Sequence, residues 1–180
     1  MRIISGKYGG RKINPPSKMP YTRPTTDVAK EGLFNIIENN ISLQGLKTLD
    51  IFGGTGSISY ELASRGAASL IIIEKDPKMH AFIEKTISEL KIEDAHIIKM
   101  DVFRYLETVN EGFDLIFAGP PYALKEIDLI PKIIKEKNLL NKNGWLILEH
   151  TPANNYEKFP LFKTSRNYGT TVFSIFINKP

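Results

Sequence analysis

The chain of 180 residues contains no cysteine. Disulfides and thiolate metal sites are therefore excluded, and a reducing compartment, the cytoplasm, is the expected location. Histidine is also scarce. His80, His96 and His150 are scattered without metal-ligand spacing, so no metal site is expected. Long apolar runs are missing too. The longest, such as Leu70-Ile71-Ile72-Ile73, are strand-sized, far below the ~18 residues of a membrane span. Met1–Gly10 lacks an apolar signal core, and no secretion is expected. Acidic residues are nearly absent at one end. Residues 1–30 hold seven Lys/Arg and only Asp27 as an acid, while the whole chain has a net charge of +4, so everything after residue 30 is net −2. This asymmetry is an electrostatic footprint for a polyanion. Glycine and tyrosine interleave with the charges there (Gly6, Tyr8, Gly9, Gly10, Tyr21), which favours a shaped arm over a tail.

What is present is an ordinary globular composition, 42% hydrophobic and 24% charged, with length enough for one domain and a sizeable core. Residues 1–24 read as a basic amino-terminal arm. It holds a short hairpin (Arg2-Ile3-Ile4, a Gly/Lys turn, Arg11-Lys12-Ile13) and then a Pro-rich irregular stretch over 14–24. Residues 25–42 read as a docking helix, capped by Thr26 or Asp27, with Val28, Leu33, Phe34, Ile36, Ile37 and Ile41 at helical spacing. From 43 to 180 strand-like runs alternate with helices: Leu46–Phe52, Ser69–Glu74, Ala95–Met100, Phe113–Ala118 and Gly144–Glu149. Apolar strands alternating with helices mean a mostly parallel sheet covered on both faces. The end differs. Leu161–Asn167, a turn at Tyr168-Gly169 and Thr170–Asn178 predict an antiparallel carboxy-terminal hairpin, which brings the α/β sheet to seven strands.

Two junctions carry chemistry. The first is Asp50-Ile51-Phe52-Gly53-Gly54-Thr55-Gly56, which follows the first strand and opens a helix. Glycines let the backbone approach a ligand closely, and this is the ligand crevice of an open parallel sheet. Ser59 stands where a third glycine of a dinucleotide loop would fall. Glu74, ending the second strand with Lys75 beside it, can accept both hydroxyls of a ribose. Asp101, followed by Val102 after the third strand, is placed to reach an adenine edge. The second junction is Gly119-Pro120-Pro121-Tyr122, where the fourth strand stops. Proline has no N–H, so the strand cannot continue its ladder, and the carbonyls there are rigid. Rigid carbonyls beside an aromatic face suit a flipped nucleobase with an exocyclic amino group.

The acid-bearing strand ends and the terminal hairpin resemble the Rossmann-like, class I S-adenosylmethionine-dependent methyltransferases. That resemblance implies S-adenosylmethionine as cofactor, held by Asp50, Phe52, Gly53, Gly54, Thr55, Gly56, Glu74, Lys75, Asp101, Val102 and Gly119. Gly119–Tyr122 is similar to the Asp/Asn-Pro-Pro-Tyr/Phe motif of amino-group methyltransferases, which implies catalytic roles for Gly119, Pro120, Pro121 and Tyr122. Arg23-Pro-Thr-Thr-Asp-Val-Ala-Lys-Glu31, the glycine loop, Ser64-Arg65-Gly66, Pro-Pro-Tyr and Tyr168-Gly169 follow in order from Arg2 to about Phe176. Together they resemble the RsmD-type family, which methylates N2 of a guanine in small-subunit ribosomal RNA. The resemblance implies ribosomal RNA or a ribosomal particle as partner, contacted by Arg2, Lys7, Arg11, Lys12, Arg23, Thr25, Thr26 and Tyr122. One departure stands out: Gly119 replaces the usual Asp or Asn, a second acceptor for the amino group. The Pro120 carbonyl is then expected to suffice, and Gly119→Asp to raise the chemical rate. Methylation of another base, such as adenine N6, and a catalytically impaired cofactor- and RNA-binding protein stay open as alternatives. A nucleotide-dependent oxidoreductase is disfavoured by Ser59 and by Pro-Pro-Tyr.

Overall fold

The computed structural model describes residues 1–17 and 25–179. Residues 18–24 of the Pro-rich stretch, Lys18 and Arg23 among them, lie outside these. Helix α1 (Asp27–Glu38) is capped by Thr26, whose side chain accepts from Ala29 N. Strand β1 (Lys47–Asp50) leads through the glycine loop into α2 (Ser57–Ser64). Then come β2 (Ser69–Ile73), α3 (Pro77–Leu90), β3 (Ala95–Ile98), α4 (Val102–Thr108) and β4 (Phe113–Ala118). Helix α5 (Leu129–Glu136), β5 (Leu140–His150), β6 (Phe162–Tyr168) and β7 (Thr171–Ile177) complete the chain.

The seven strands run in the order β3-β2-β1-β4-β5-β7-β6. The first five pair in parallel, while β7 is antiparallel to both β5 and β6. The expected mostly parallel sheet with an antiparallel terminal hairpin is thus what forms. Both faces are covered. On one, Leu33, Phe34 and Ile37 of α1, Ile58 and Leu62 of α2, and Ile83 and Leu90 of α3 pack on Leu115 and Phe117. On the other, Leu106 of α4 and Ile130 and Ile134 of α5 pack on Ile116 and Ala118. Alternate residues of β4 serve opposite layers, which is why that strand reads as an unbroken apolar run. Each large buried side chain here contributes roughly 1.5–3 kcal/mol of transfer free energy.

Local signals account for most boundaries. Asp76 caps α3, accepting from Lys78 N and Met79 N, with Pro77 at the first helical position. Two expectations need correction. Val28 is 73% exposed and faces away from the core; Lys30 is buried in that stripe instead. Strand β5 begins at Leu140 rather than Gly144, because Asn178 holds its start: Asn143 N donates to the Asn178 carbonyl and Asn178 Nδ2 to that of Leu140.

The amino-terminal hairpin closes through Ile3 N to the Arg11 carbonyl, Gly10 N to that of Ile3, and the bridge between Arg2 and Lys12. Ile3, Tyr8 and Ile13 are buried, while Arg2, Lys7, Arg11 and Lys12 stay exposed. A buried carboxylate fastens the hairpin to α2. Glu61 accepts from Ile4 N at 2.8 Å and Ser5 N at 3.0 Å. The same group takes Arg65 Nε at 2.8 Å and lies 3.7 Å from Lys30 Nζ. Lys30 Nζ also donates to the Arg2 carbonyl at 2.6 Å and to Ser57 Oγ at 3.1 Å.

Candidate active site

In the strand order, β1 and β4 are neighbours, while the chain leaves β1 in the opposite direction, through α2 to β2. This is the switch point of the sheet, where a crevice opens beyond the carboxyl ends of the strands. A cavity of about 750 Å³ lies there. It is the size of a small-molecule site.

The glycine loop forms one wall. Asp50 pairs with Ile72 and Phe117, so it ends β1 level with its neighbours. Its carboxylate is buried, accepting from Ser59 Oγ at 2.6 Å and Phe52 N at 3.2 Å. Burial lifts this carboxyl from 3.8 to about 7. The two hydrogen bonds oppose that rise, and the charges of Glu74 and Glu149 add to it. Ser59, at the missing third glycine, is therefore the residue that orients Asp50. Gly56 caps α2 at φ 77°, in the left-handed region. Gly53 is packed so closely that a Cβ there would lie 2.7 Å from Ile72 Cγ2.

Glu74 follows β2. Its Oε2 accepts from Gly54 N at 2.7 Å and its Oε1 from Asp76 N at 2.8 Å. The carboxylate is fixed before any ligand arrives, and each oxygen keeps a further lone pair. Asp101 caps α4, accepting from Phe103 N at 2.9 Å, with Lys75 Nζ 3.9 Å away.

Gly119–Tyr122 forms the facing wall. Pro120 is buried, and the Pro121 carbonyl accepts from Leu124 N, which closes the turn. The Tyr122 hydroxyl lies 3.1 Å from Thr171 Oγ1 and 3.3 Å from Glu149 Oε1, while the residue remains 38% exposed. The ring is anchored at its tip and open along part of its surface.

The cavity brings together Asp50, Phe52, Gly53, Gly54, Thr55, Glu74, Lys75, Asp101, Val102, the whole Gly119–Tyr122 turn and Thr25. Gly56 and Thr26 are not among its lining residues; both serve helix starts. Arg2, Lys7, Arg11 and Lys12 sit on the hairpin, with Arg11 and Lys12 at a second, smaller groove beside Lys85 of α3. Arg23 lies outside the described residues. The sequence reading missed Glu149. It is the penultimate residue of β5, is 4% exposed, lines the cavity and accepts from Thr25 Oγ1 at 2.7 Å. Its position at the carboxyl end of a central strand was the available signal.

The lining is acidic. Asp50, Glu74, Asp76, Asp101 and Glu149 face one lysine, Lys75. Such a cavity repels a pyrophosphate and attracts a cation. A sulfonium compound carrying an α-amino group, a ribose and an adenine fits this set of acceptors.

The fold has close counterparts. The yhhF protein of Escherichia coli superposes with a TM-score of 0.85 at 23% identity, covering 99% of this chain and 98% of that one. An RNA methyltransferase of Salinibacter ruber, in complex with S-adenosyl-L-homocysteine, gives a TM-score of 0.68 at 12% identity over 87% of this chain and 94% of that one. Sheet order, glycine loop and acidic crevice together define the Rossmann-like class I methyltransferase fold. A family model described as conserved hypothetical protein 95 matches residues 1–177. The ribosomal RNA small subunit methyltransferase D of Buchnera aphidicola subsp. Baizongia pistaciae is 30% identical over 186 aligned positions, covering 99% of this chain and 92% of that protein. The chain belongs to this family, the RsmD-type methyltransferases.

Proposed function

We propose that this enzyme transfers a methyl group from S-adenosylmethionine to the exocyclic N2 amino group of a guanine in small-subunit ribosomal RNA. The observation that carries the reading is the rigid Gly119–Tyr122 turn facing Asp50 and Glu74 across one acidic cavity. The family membership and the small-subunit ribosomal RNA named for the Buchnera relative support the substrate class.

Bound S-adenosylmethionine supplies an activated methyl group on a positively charged sulfur. Glu74, with its carboxylate already oriented by Gly54 N and Asp76 N, holds the ribose hydroxyls. Asp50 faces the amino-acid end, and Asp101 and Val102 border the adenine. Thr55 and Phe52 complete the loop wall. The Pro120 carbonyl accepts one amino N–H of the base and fixes the nitrogen. The Tyr122 ring, tethered through its hydroxyl, stacks on the base. An exocyclic amino lone pair is a weak nucleophile because it is delocalised into the ring. Placing it in line with the methyl group is the largest contribution these residues make. The exposed Arg2, Lys7, Arg11 and Lys12 of the hairpin contact phosphates, and Thr25, which lines the cavity, borders the bound base. A substrate that is ribosomal RNA or an assembled particle supports a cytoplasmic location for the enzyme.

The test is incubation with small ribosomal subunits and labelled S-adenosylmethionine, followed by digestion to nucleosides. N2-methylguanosine is the expected product. N6-methyladenosine would redirect the reading to another base, and no incorporation by protein that binds the cofactor would refute it.

A further inference from the structure

Gly119 has no conformational reason to be glycine, since its φ lies outside the positive region. The space beside it is filled. A Cβ built there would lie 2.9 Å from Phe117 Cε1 and 3.6 Å from Glu149 Oε2. The sheet register explains the second contact. Ala118 pairs with Leu148, so the next residues along the two parallel strands, Gly119 and Glu149, come side by side at the rim of the cavity. Glu149 does not drift there. Oε2 accepts from Thr25 Oγ1 at 2.7 Å, and Oε1 lies 3.3 Å from the Tyr122 hydroxyl, so the carboxylate is held from the α1 side and from the stacking ring at once.

We propose that Glu149 is a catalytic residue of this enzyme: its carboxylate reaches past Gly119 from the neighbouring strand and accepts the second N–H of the target amino group. The inference rests on the amino-methylation reading above. The Pro120 carbonyl takes one N–H and Glu149 the other, so the amino group is gripped from both sides and its lone pair is turned toward the methyl carbon. In the transfer, that lone pair forms the N–CH₃ bond as the S–CH₃ bond breaks, and the electron pair of the broken bond stays on sulfur. The proton on the methylated nitrogen leaves to the Glu149 carboxylate and from there to water. Gly119 is then a consequence of Glu149. A longer side chain from β5 does the work of a shorter one from β4, and a second carboxylate at 119 would crowd the first. This reverses the expectation from the sequence alone that Gly119→Asp accelerates the reaction.

Single-turnover methylation of small ribosomal subunits by the wild type, Glu149→Gln, Gly119→Asp and the double variant tests the assignment, with an S-adenosylmethionine titration on each protein. Losing a hydrogen bond to a charged acceptor predicts a rate for Glu149→Gln slower by roughly 10- to 100-fold. Cofactor affinity is expected to change by only a few-fold, well short of the rate loss, because Glu149 adds one charge to the acidic lining and no direct cofactor contact is assigned to it. Gly119→Asp alone is expected to gain nothing, and the double variant to recover rate above Glu149→Gln, which a merely structural Glu149 would not allow. A Glu149→Gln rate equal to the wild type overturns the proposal. So does a rate loss matched by an equal loss of cofactor binding, or a double variant no faster than Glu149→Gln. Failure of the wild type itself to methylate, with cofactor bound, instead removes the reading beneath it.

Discussion

Lowering the pH from 8 to 6 should weaken S-adenosylmethionine binding about fourfold: protonation of one carboxyl group costs about tenfold, and protonation of the cofactor's own α-amino group returns part of it. Asp50 is buried at the end of β1, and burial raises its pKa from 3.8 to about 7. At pH 6 a group titrating near 7 is ionised in only about one molecule in eleven, and at pH 8 in about nine of ten. The cofactor's ammonium and sulfonium charges favour the ionised form, so binding at pH 6 must first expel the proton, a cost of about one power of ten in affinity. Calorimetric titration from pH 5.5 to 8.5 in buffers of different ionisation enthalpy reads both the affinity and the release of nearly one proton per cofactor at pH 6. The cofactor's α-amino group titrates near ~7.7–8.0, so Asp50→Asn, which keeps that titration and removes the other, is the control. It should bind weakly, with no change between pH 6 and 7. The same shift acts on stability without ligand. The folded-state pKa is raised, so the native state holds the proton more tightly than the unfolded chain. The group's contribution is full below about pH 4 and is lost as pH rises through about 7. Asp50→Asn should therefore raise the melting temperature at pH 8 and lose that advantage by pH 5. Wild-type affinity that is flat from pH 6 to 8, or an Asp50→Asn protein with the wild-type pH profile, would refute the argument.

Glu74→Ala removes an acceptor already fixed by Gly54 N and Asp76 N, and should weaken cofactor binding by roughly 10- to 100-fold. Calorimetry reads this directly, and Glu74→Gln should fall in between, because one oxygen acceptor remains. Glu61→Ala strips the acceptor from Ile4 N, Ser5 N and Arg65 Nε and leaves Lys30 without its buried counter-charge. Unfolding in urea should show a loss of about 3–5 kcal/mol, and limited proteolysis should cut the amino-terminal hairpin first.

Much of the fold was legible because its signals are local. Asp76-Pro77 announces α3 without help from the rest of the chain, and the Tyr168-Gly169 turn announces the β6–β7 hairpin. The acids after β1, β2 and β3 were legible for a related reason: in a parallel sheet, a polar residue at the carboxyl end of an apolar run has one place to go. Lys30 was not legible. A charged residue in an apolar helical stripe reads as an interruption, and only the Arg2 carbonyl of the hairpin and Ser57 and Glu61 of α2, brought from two other elements, make its burial tolerable. The start of β5 was hidden by Lys142-Asn143-Gly144, turn-like residues that stay in the strand because Asn178 ties them down. Glu149 escaped notice because its meaning depends on the register of β4 against β5, which no stretch of either strand contains.

Two charge problems meet in this molecule, and the fold keeps them apart. The cavity needs carboxylates to attract a cationic cofactor, and the same carboxylates would repel an RNA phosphate. Positive charge is therefore placed on the hairpin, with the acids inside the crevice, and the two must still act on one substrate. Helix α2 joins them. Its first residue, Ser57, lines the cavity and takes a hydrogen bond from Lys30, while Glu61, one turn on, holds the hairpin backbone at Ile4 and Ser5. Lys30 itself donates to the hairpin at the Arg2 carbonyl. A single buried ion pair thus touches both the mount of the basic arm and the helix that carries the glycine loop. That placement makes a polar interior useful despite its desolvation cost. An apolar replacement could pack α1 on α2, but it would leave Ile4 N, Ser5 N and the Arg2 carbonyl without their side-chain partners and free the hairpin to shift relative to the cofactor.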